Sequence, residues 1–286
     1  ARGGTNSIAS VKATGKIITT SGTNLNAANR YGIVTYSKGA TGSSLIDYTG
    51  SNSTNIDIST NGKNSHALYS YNQDGAKATI NVTDASINAG GTNSDGINVT
   101  YAGTVASSAD VEILGNSTIN ASGYGVSISH NNVGTSVNLL NQGKITGARG
   151  GVYIDTYGDT SFVNQGTITG DVTVLNGKQN TLNFEAGSKV VGNVSLGGDG
   201  NDVIIAGSIG NLTSTSEGKQ SITIKGDGAS YGDLIVSDQS NTSLVFDGVN
   251  YSSSNQVENI STVEVINGST FTLDGTDFEL LSGTDK

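Results

Sequence analysis

The sequence predicts an all-β chain wound as a parallel β-helix, a solenoid with three strands per coil, and three observations lead there. First, a glycine leads an apolar run in Gly32-Ile33-Val34, Gly96-Ile97-Asn98, Gly125-Val126-Ser127 and Gly151-Val152-Tyr153, with Ala67-Leu68-Tyr69 in the same place between the first two. The steps are 35, 29, 29 and 26 residues, and periods in this range that shorten along a chain are those of stacked repeats. Second, residues 141–147 read NQGKITG and residues 164–170 read NQGTITG, 23 positions later, with looser echoes at Ala186-Gly187-Ser188 and Ala206-Gly207-Ser208. Third, the chain has 41 glycines, no proline and only 13% charged residues, with Asn, Ser and Thr threaded by Val and Ile, a mixture suited to short strands and many turns.

Taken in order, residues 1–28 carry Ile8, Val11 and Ile17-Ile18 between small polar residues, with no sustained helical period, and form the first coil. The glycine-led strands then alternate. Ile33, Leu68, Ile97, Val126 and Val152 lie one past the anchor, and Thr35, Ser70, Val99, Ile128 and Ile154 three past it. A side-chain period of two puts both sets on one side, the core. Val34/Tyr36, Tyr69/Tyr71, Asn98/Thr100, Ser127/Ser129 and Tyr153/Asp155 then face solvent.

Two further strands per coil follow, as in Ile80/Val82 then Ile87, Val111/Ile113 then Ile119, and Val137/Leu139 then Ile145. At about 25 residues per coil the chain makes about eleven coils and a rod about 50 Å long. Thr213 to Gln220 is the most polar break, and strands resume after it at Ile222/Ile224, Leu234/Val236, Leu244/Phe246, Val263/Val265, Phe271/Leu273 and Phe278/Leu280. Residues 1–286 therefore read as one rod, since no linker composition marks a boundary near Gly210.

Several function classes are disfavoured by composition. Without cysteine there is no disulfide, thiolate metal site or thiol nucleophile. No apolar run approaches the roughly 18 residues of a helical membrane span. Residues 1–150 carry nine Lys/Arg and seven Asp/Glu, whereas residues 151–286 carry five and seventeen, so the net charge of −10 sits in the second part. An acidic chain without a basic cluster is a poor partner for nucleic acid. The lack of methionine, even at position 1, is expected of a mature fragment whose leader has been removed.

The NQGxITG-type coils, Gly198-Asp199-Gly200-Asn201-Asp202 leading Val203-Ile204-Ile205, and residues 257–275 (VENISTVEVINGSTFTLDG) together resemble the passenger domains of bacterial type V autotransporters of the pertactin and AIDA-like kind. The resemblance implies a right-handed β-helix, exported through an outer-membrane barrel and displayed or released at the bacterial surface. By the same analogy, residues 220–286 serve as a C-terminal folding nucleus. Passengers of this family act as adhesins, self-aggregating factors, proteases or released effectors that engage host receptors, and fold alone does not choose among them.

Motifs for chemistry are sparse, and no cofactor is expected. Residues 197–205, GGDGNDVII, fit a calcium-binding nonapeptide, but one copy supplies half a cage, so a turn between coils is expected over an ion at Asp199 and Asp202. His66 and His130 lie in different coils and read as corner or surface residues, with neither the serine motif of protease passengers nor the paired Asp and Arg-x-Lys of pectin-cleaving helices. Asp155/Asp159 is too ordinary a pair for a glycosidase dyad. Eleven N-x-S/T sequons, Asn81, Asn98, Asn116, Asn120 and Asn193 among them, reflect Asn at turns and Thr in strands, and Lys225-Gly226-Asp227 is a chance match to an integrin tripeptide.

Tyrosine placement is more informative, because nine of the eleven tyrosines precede residue 158. Tyr36, Tyr69, Tyr71 and Tyr153 fall at outward positions and Tyr101 just past the end of its strand. Tyrosine offers a stiff contact surface with a polar tip, so these five are the candidate binding residues, with a merely stabilising ladder of rings as the competing reading. The expected function is non-enzymatic: a secreted or surface-displayed virulence factor that binds a host cell-surface protein or receptor in the manner of an adhesin. The alternatives are a released, growth-promoting or angiogenic ligand of a host receptor, and self-association of neighbouring rods.

Overall fold

A computed structural model describes residues 1–18, 29–51, 56–130, 134–238, 240–253, 255–273 and 278–280. Every strand pairing is parallel, as in Ile97–Ala102 against both Leu68–Gln73 and Tyr124–His130. Among the described residues, sheets of twelve and eleven strands run from the first coil to the last, a sheet of seven strands accompanies them from Ile17–Ile18 to Lys189–Val191, each taking every third strand over that span, and a two-stranded sheet stands near the end. This is a parallel β-helix. No helix among the described residues is long and apolar enough to cross a membrane.

The expected interior column is present in full. Ile33 pairs with Leu68, Leu68 with Ile97, Ile97 with Val126 and Val126 with Val152, and each is at most 5% exposed. It continues in register through Val172, Val194, Leu212, Leu234 and Val257. Parallel stacking at about 4.8 Å makes like positions neighbours, so a branched residue in one coil packs on its counterpart in the next. The second sheet carries the column Ile46, Ile80, Val111, Leu139, Phe162, Leu182, Val203, Ile222 and Leu244 in the same way. The third carries Ile58, Ile87, Ile119, Ile145, Ile168 and Val190.

The glycines that lead several early strands of the first sheet have a steric cause. A Cβ at Gly125 would run into Cγ2 of Ile145 and come within 2.6 Å of the Gly151 carbonyl oxygen. One at Gly96 would collide with Ile119, and one at Gly151 with Ile168. The third sheet's isoleucines therefore fill the space that a side chain would need, and the motif records packing between faces of adjacent coils.

Polar ladders hold the corners. Asp171 Oδ1 accepts the backbone N–H of Asn193, Asn193 Oδ1 that of Asn211, Asn211 Oδ1 that of Asp233, and Asp233 Oδ1 that of Gln256, at 2.8–3.1 Å. Each side chain thus satisfies a donor of the next coil that its turn leaves unpaired. Inside, the amides of Asn180, Asn201 and Gln220 stand 3.0 and 2.9 Å apart, and Gln220 reaches Thr242 at 3.3 Å.

Past residue 191 the third face thins. It persists as single bridges from Lys189 to Ser208 and from Ser208 to Ser230, then as Asn250–Ser253 paired with Thr270–Leu273. The polar stretch from Thr213 to Gln220 does not interrupt the ladders. Leu212–Ser214 and Lys219–Lys225 extend the first and second sheets through it, and Ser214, Ser216 and Gln220 are buried within. Residues 239, 254, 274–277 and 281–286, which fall within the C-terminal motif or the folding-nucleus expectation, lie outside the described residues.

Candidate binding face

Three outward columns cross the early coils of the first sheet. One holds Tyr36, Tyr71, Thr100 and Ser129 with Asp155; the next holds Val34, Tyr69, Asn98, Ser127 and Tyr153. A third, two residues before each inward anchor, holds Tyr31, His66, Asp95, Tyr124 and Gly150, set by the N–H groups of Gly32, Ala67 and Gly96 donating to the carbonyls of His66, Asp95 and Tyr124, and by the pairing of Tyr124 with Gly150. Tyr36, Tyr69, Tyr71 and Tyr153 are half-buried on this face, at the outward positions expected of them.

The rings form two groups. In the first, Tyr36 stacks on Tyr71 with centroids 5.3 Å apart and planes 12° apart, and the Arg2 guanidinium lies 5.2 Å over Tyr36. Tyr31 stacks on His66 at 5.7 Å and leans on Tyr69 at 4.5 Å, and Tyr69 reaches Tyr71 at 6.5 Å. In the second, Tyr124 stacks on Tyr153 at 4.7 Å, and the Arg149 guanidinium caps Tyr124 at 4.7 Å. Gly150 makes that stack fit, because a Cβ there would lie 3.1 Å from Cδ1 of Tyr124.

Between the groups the surface is polar and closed. Asn98 and Ser127, expected to face solvent, are 9% and 7% exposed. The Asn98 amide donates to Asp95 Oδ2 at 2.7 Å and its oxygen accepts from Thr100 Oγ1 at 2.8 Å, so it lies along the sheet instead of projecting from it. Ser127 is a short side chain in register between Asn98 and Tyr153 and is shielded by its neighbours.

Burial sets the protonation of the group. It raises the phenols of Tyr31 and Tyr69, and for Tyr69 the neighbouring Tyr31 and Tyr71 add to the effect. Tyr153 is pushed up to about 12, first by burial and then by Asp155 beside it. Burial lowers His66, opposed by the Asp95 carboxylate. These raised phenols and the lowered imidazole are therefore neutral at pH 7.

Tyr101 does not belong to the face. It lies within strand Ile97–Ala102, not past its end, is 4% exposed, pairs with Asn72 and His130, and donates its hydroxyl to the Ser108 carbonyl at 2.5 Å. The alternation that sends Ile97 and Val99 inward sends Tyr101 inward too. The reading of His130 as a corner or surface residue is corrected by the same register: it is 2% exposed, tilted on Tyr101 at 5.4 Å, with Nδ1 2.5 Å from Thr135 Oγ1. His66 stays on the outer face, packed between tyrosines.

Asp199 sits exposed in the corner before strand Asn201–Ile205 and Asp202 on its outer face, while Asn201 between them is spent in the interior amide ladder. Among the described residues no group of three His, Asp or Glu side chains converges as a metal site. Lys225 pairs with Asp247 at 3.8 Å, and Asp227 Oδ1 accepts the N–H of Asn250, which ties both ends of that tripeptide to its corner.

Comparison with protein-family models, curated proteins and solved structures found no match to this chain.

Sequence reasoning missed Tyr31, His66, Asp95 and Tyr124 as a column. The signal was there: extending the alternation two residues upstream of each anchor yields all four. The capping arginines carried no such signal, because their stacking depends on side chains reaching across strands.

Proposed function

We propose that this chain is a non-enzymatic passenger, exported to the bacterial surface or released from it, which binds a host cell-surface protein through the tyrosine face of its first sheet. The observation that supports this reading is the grouping of six tyrosines, Tyr31, Tyr36, Tyr69, Tyr71, Tyr124 and Tyr153, on one side of a sheet whose later outward positions are mostly small and polar. Rings stacked from coil to coil have little rotamer freedom left to lose, so a partner docking on them is opposed by little side-chain entropy. Arginine and tyrosine together are the residues most enriched at the energetic centres of protein interfaces.

The test replaces Tyr69, Tyr71 and Tyr153 with serine, checks the fold by circular dichroism and measures attachment of the purified chain to host cells. Binding should fall by tenfold or more, since anchor residues of an interface each contribute roughly 1–2 kcal/mol or more. Unchanged attachment would remove this face. Receptor phosphorylation by the soluble chain would identify a released ligand, and a concentration-dependent dimer would identify self-association.

A further inference from the structure

The chain has three arginines, Arg2, Arg30 and Arg149, among its 14 basic residues, and all three border the tyrosine face. Arg2 is paired with Tyr36 in register and caps its ring, and Arg149 caps Tyr124. Arg30 directly precedes Tyr31 and holds the same place in its coil that Arg149 holds in another, three residues before the inward anchors Ile33 and Val152. Among the described residues none of the three arginines is paired with a carboxylate, whereas Lys12, Lys38 and Lys225 are paired with Asp47, Asp74 and Asp247.

The face's own acids form no ion pair with them among the described residues. Asp95 is 5% exposed and saturated, with Oδ1 accepting the N–H of Tyr124 at 2.8 Å and Oδ2 the amide of Asn98 at 2.7 Å. Asp155 is held by the amide of Asn176 at 2.8 Å and by the hydroxyl of Tyr153 at 3.2 Å. A chain of net charge −10 thus keeps all three arginines where the aromatic surface lies, with no ion pair to them among the described residues.

A guanidinium stacked on a ring keeps its N–H edge free, and that edge matches a carboxylate with two parallel hydrogen bonds. Stacking also orients the fork before a partner arrives. Tyr36 is in register with Ser129, three strands away, and Tyr124 lies five residues before Ser129. About 14 Å across the strands and about 17 Å along them put the two rings about 22 Å apart, which an extended segment covers in about six residues at about 3.4 Å each, with both side chains on the same side.

We propose that the tyrosine face docks an extended, acidic segment of a partner protein, with carboxylates about six residues apart entering the forks of Arg2 and Arg149. This rests on the reading of the face as the binding surface, and narrows its partner by charge complementarity.

The test uses fluorescence anisotropy with the purified chain and a labelled peptide, TEVTVTVET, against its glutamine counterpart TQVTVTVQT. At low salt the glutamate peptide should bind about tenfold or more tightly than the glutamine one, because hydrogen bonds between charged groups contribute on that scale. The R2Q/R149Q chain should lose the same factor. R2K/R149K should lose most of it, since an ammonium lacks the fork, while K144Q/K189Q, with the same change in charge on another face, should not. Equal binding of the two peptides overturns the inference, as does equal loss in the arginine and lysine variants. Retention of heparin without the glutamate peptide also overturns it, in favour of a sulfated glycan. If the tyrosine variants lose cell attachment while the arginine variants bind the peptide unchanged, the binding face stands and only the acidic partner falls.

Discussion

The Asp95 backbone N–H donates to Nδ1 of His66 at 3.0 Å, while Asp95 Oδ2 lies 3.3 Å from the same nitrogen. A nitrogen that accepts the N–H carries no proton, so the imidazole is neutral and the short approach of the carboxylate is not an ion pair. Protonation would replace that hydrogen bond with a pair to a carboxylate already engaged by Tyr124 and Asn98.

A pH dependence follows. Burial lowers the pKa of His66 below its ordinary 6.5, with Asp95 opposing, and burial also lowers that of His130. The unfolded chain therefore takes up protons first as pH falls. The contribution of both histidines to stability is complete above about pH 6.5 and is lost as pH drops through the lowered values, with a slope of at most about 1.4 kcal/mol per pH unit for each. Urea midpoints measured from pH 7.5 to 5 should fall, and the H66N/H130N chain should show a flatter profile. An identical slope in the variant would mean that other groups titrate there.

At the alkaline end the sign is set by the phenols. Tyr48 and Tyr153 are each pushed up to about 12, both first by burial and then by Asp57 and Asp155 respectively, and burial also raises Tyr101 and Tyr231. The folded chain holds protons that the unfolded chain releases near pH 10, so this stabilisation is present below pH 10 and disappears as pH rises through 12. Absorbance at 295 nm should show tyrosines that ionise only on unfolding, and Tyr153→Phe should remove one of them.

The leading glycines allow a steric prediction. Gly125→Ala places a methyl against Ile145 and the Gly151 carbonyl, and overpacking of this kind costs about 1–3 kcal/mol. Gly228→Ala, whose nearest neighbour would be 3.9 Å away, should be neutral or stabilise by about 0.4–1 kcal/mol. Equal midpoints for the two variants in urea would show that the inter-face contact is not what excludes the side chain.

The interior amides give another. Asn201→Leu removes the middle of the ladder from Asn180 to Gln220 and takes one hydrogen bond from each of these buried amides, at about 1–3 kcal/mol. Asn183→Ala, on the outward side of the same sheet, should stay within about 0.5 kcal/mol. Chemical unfolding of both chains checks the difference.

Much of the rod was legible because a solenoid turns sequence spacing directly into spatial neighbourhood. The steps between Ile33, Leu68, Ile97, Val126 and Val152 are the steps between stacked strands, and the alternation placed Tyr36, Tyr69, Tyr71 and Tyr153 outward. The same alternation, carried one pair further, would have placed Tyr101 and His130 inside. Their polar atoms argue against burial, but Ser108 and Thr135 supply the partners that allow it.

By itself, then, the sequence determined the winding, the strand families, the interior columns and which tyrosines share a face, because all of these follow from a local period of two and a coil period of 20 to 35 residues. Only the tertiary structure decided that Arg2 and Arg149 cap rings, that Tyr124 folds over Gly150 onto Tyr153, that Asn98 lies flat beside Asp95, and that isoleucines of the third sheet exclude side chains from the leading glycines. These are contacts between side chains that cross strands or corners, where rotamer and reach decide the outcome and no repeat in the sequence records it.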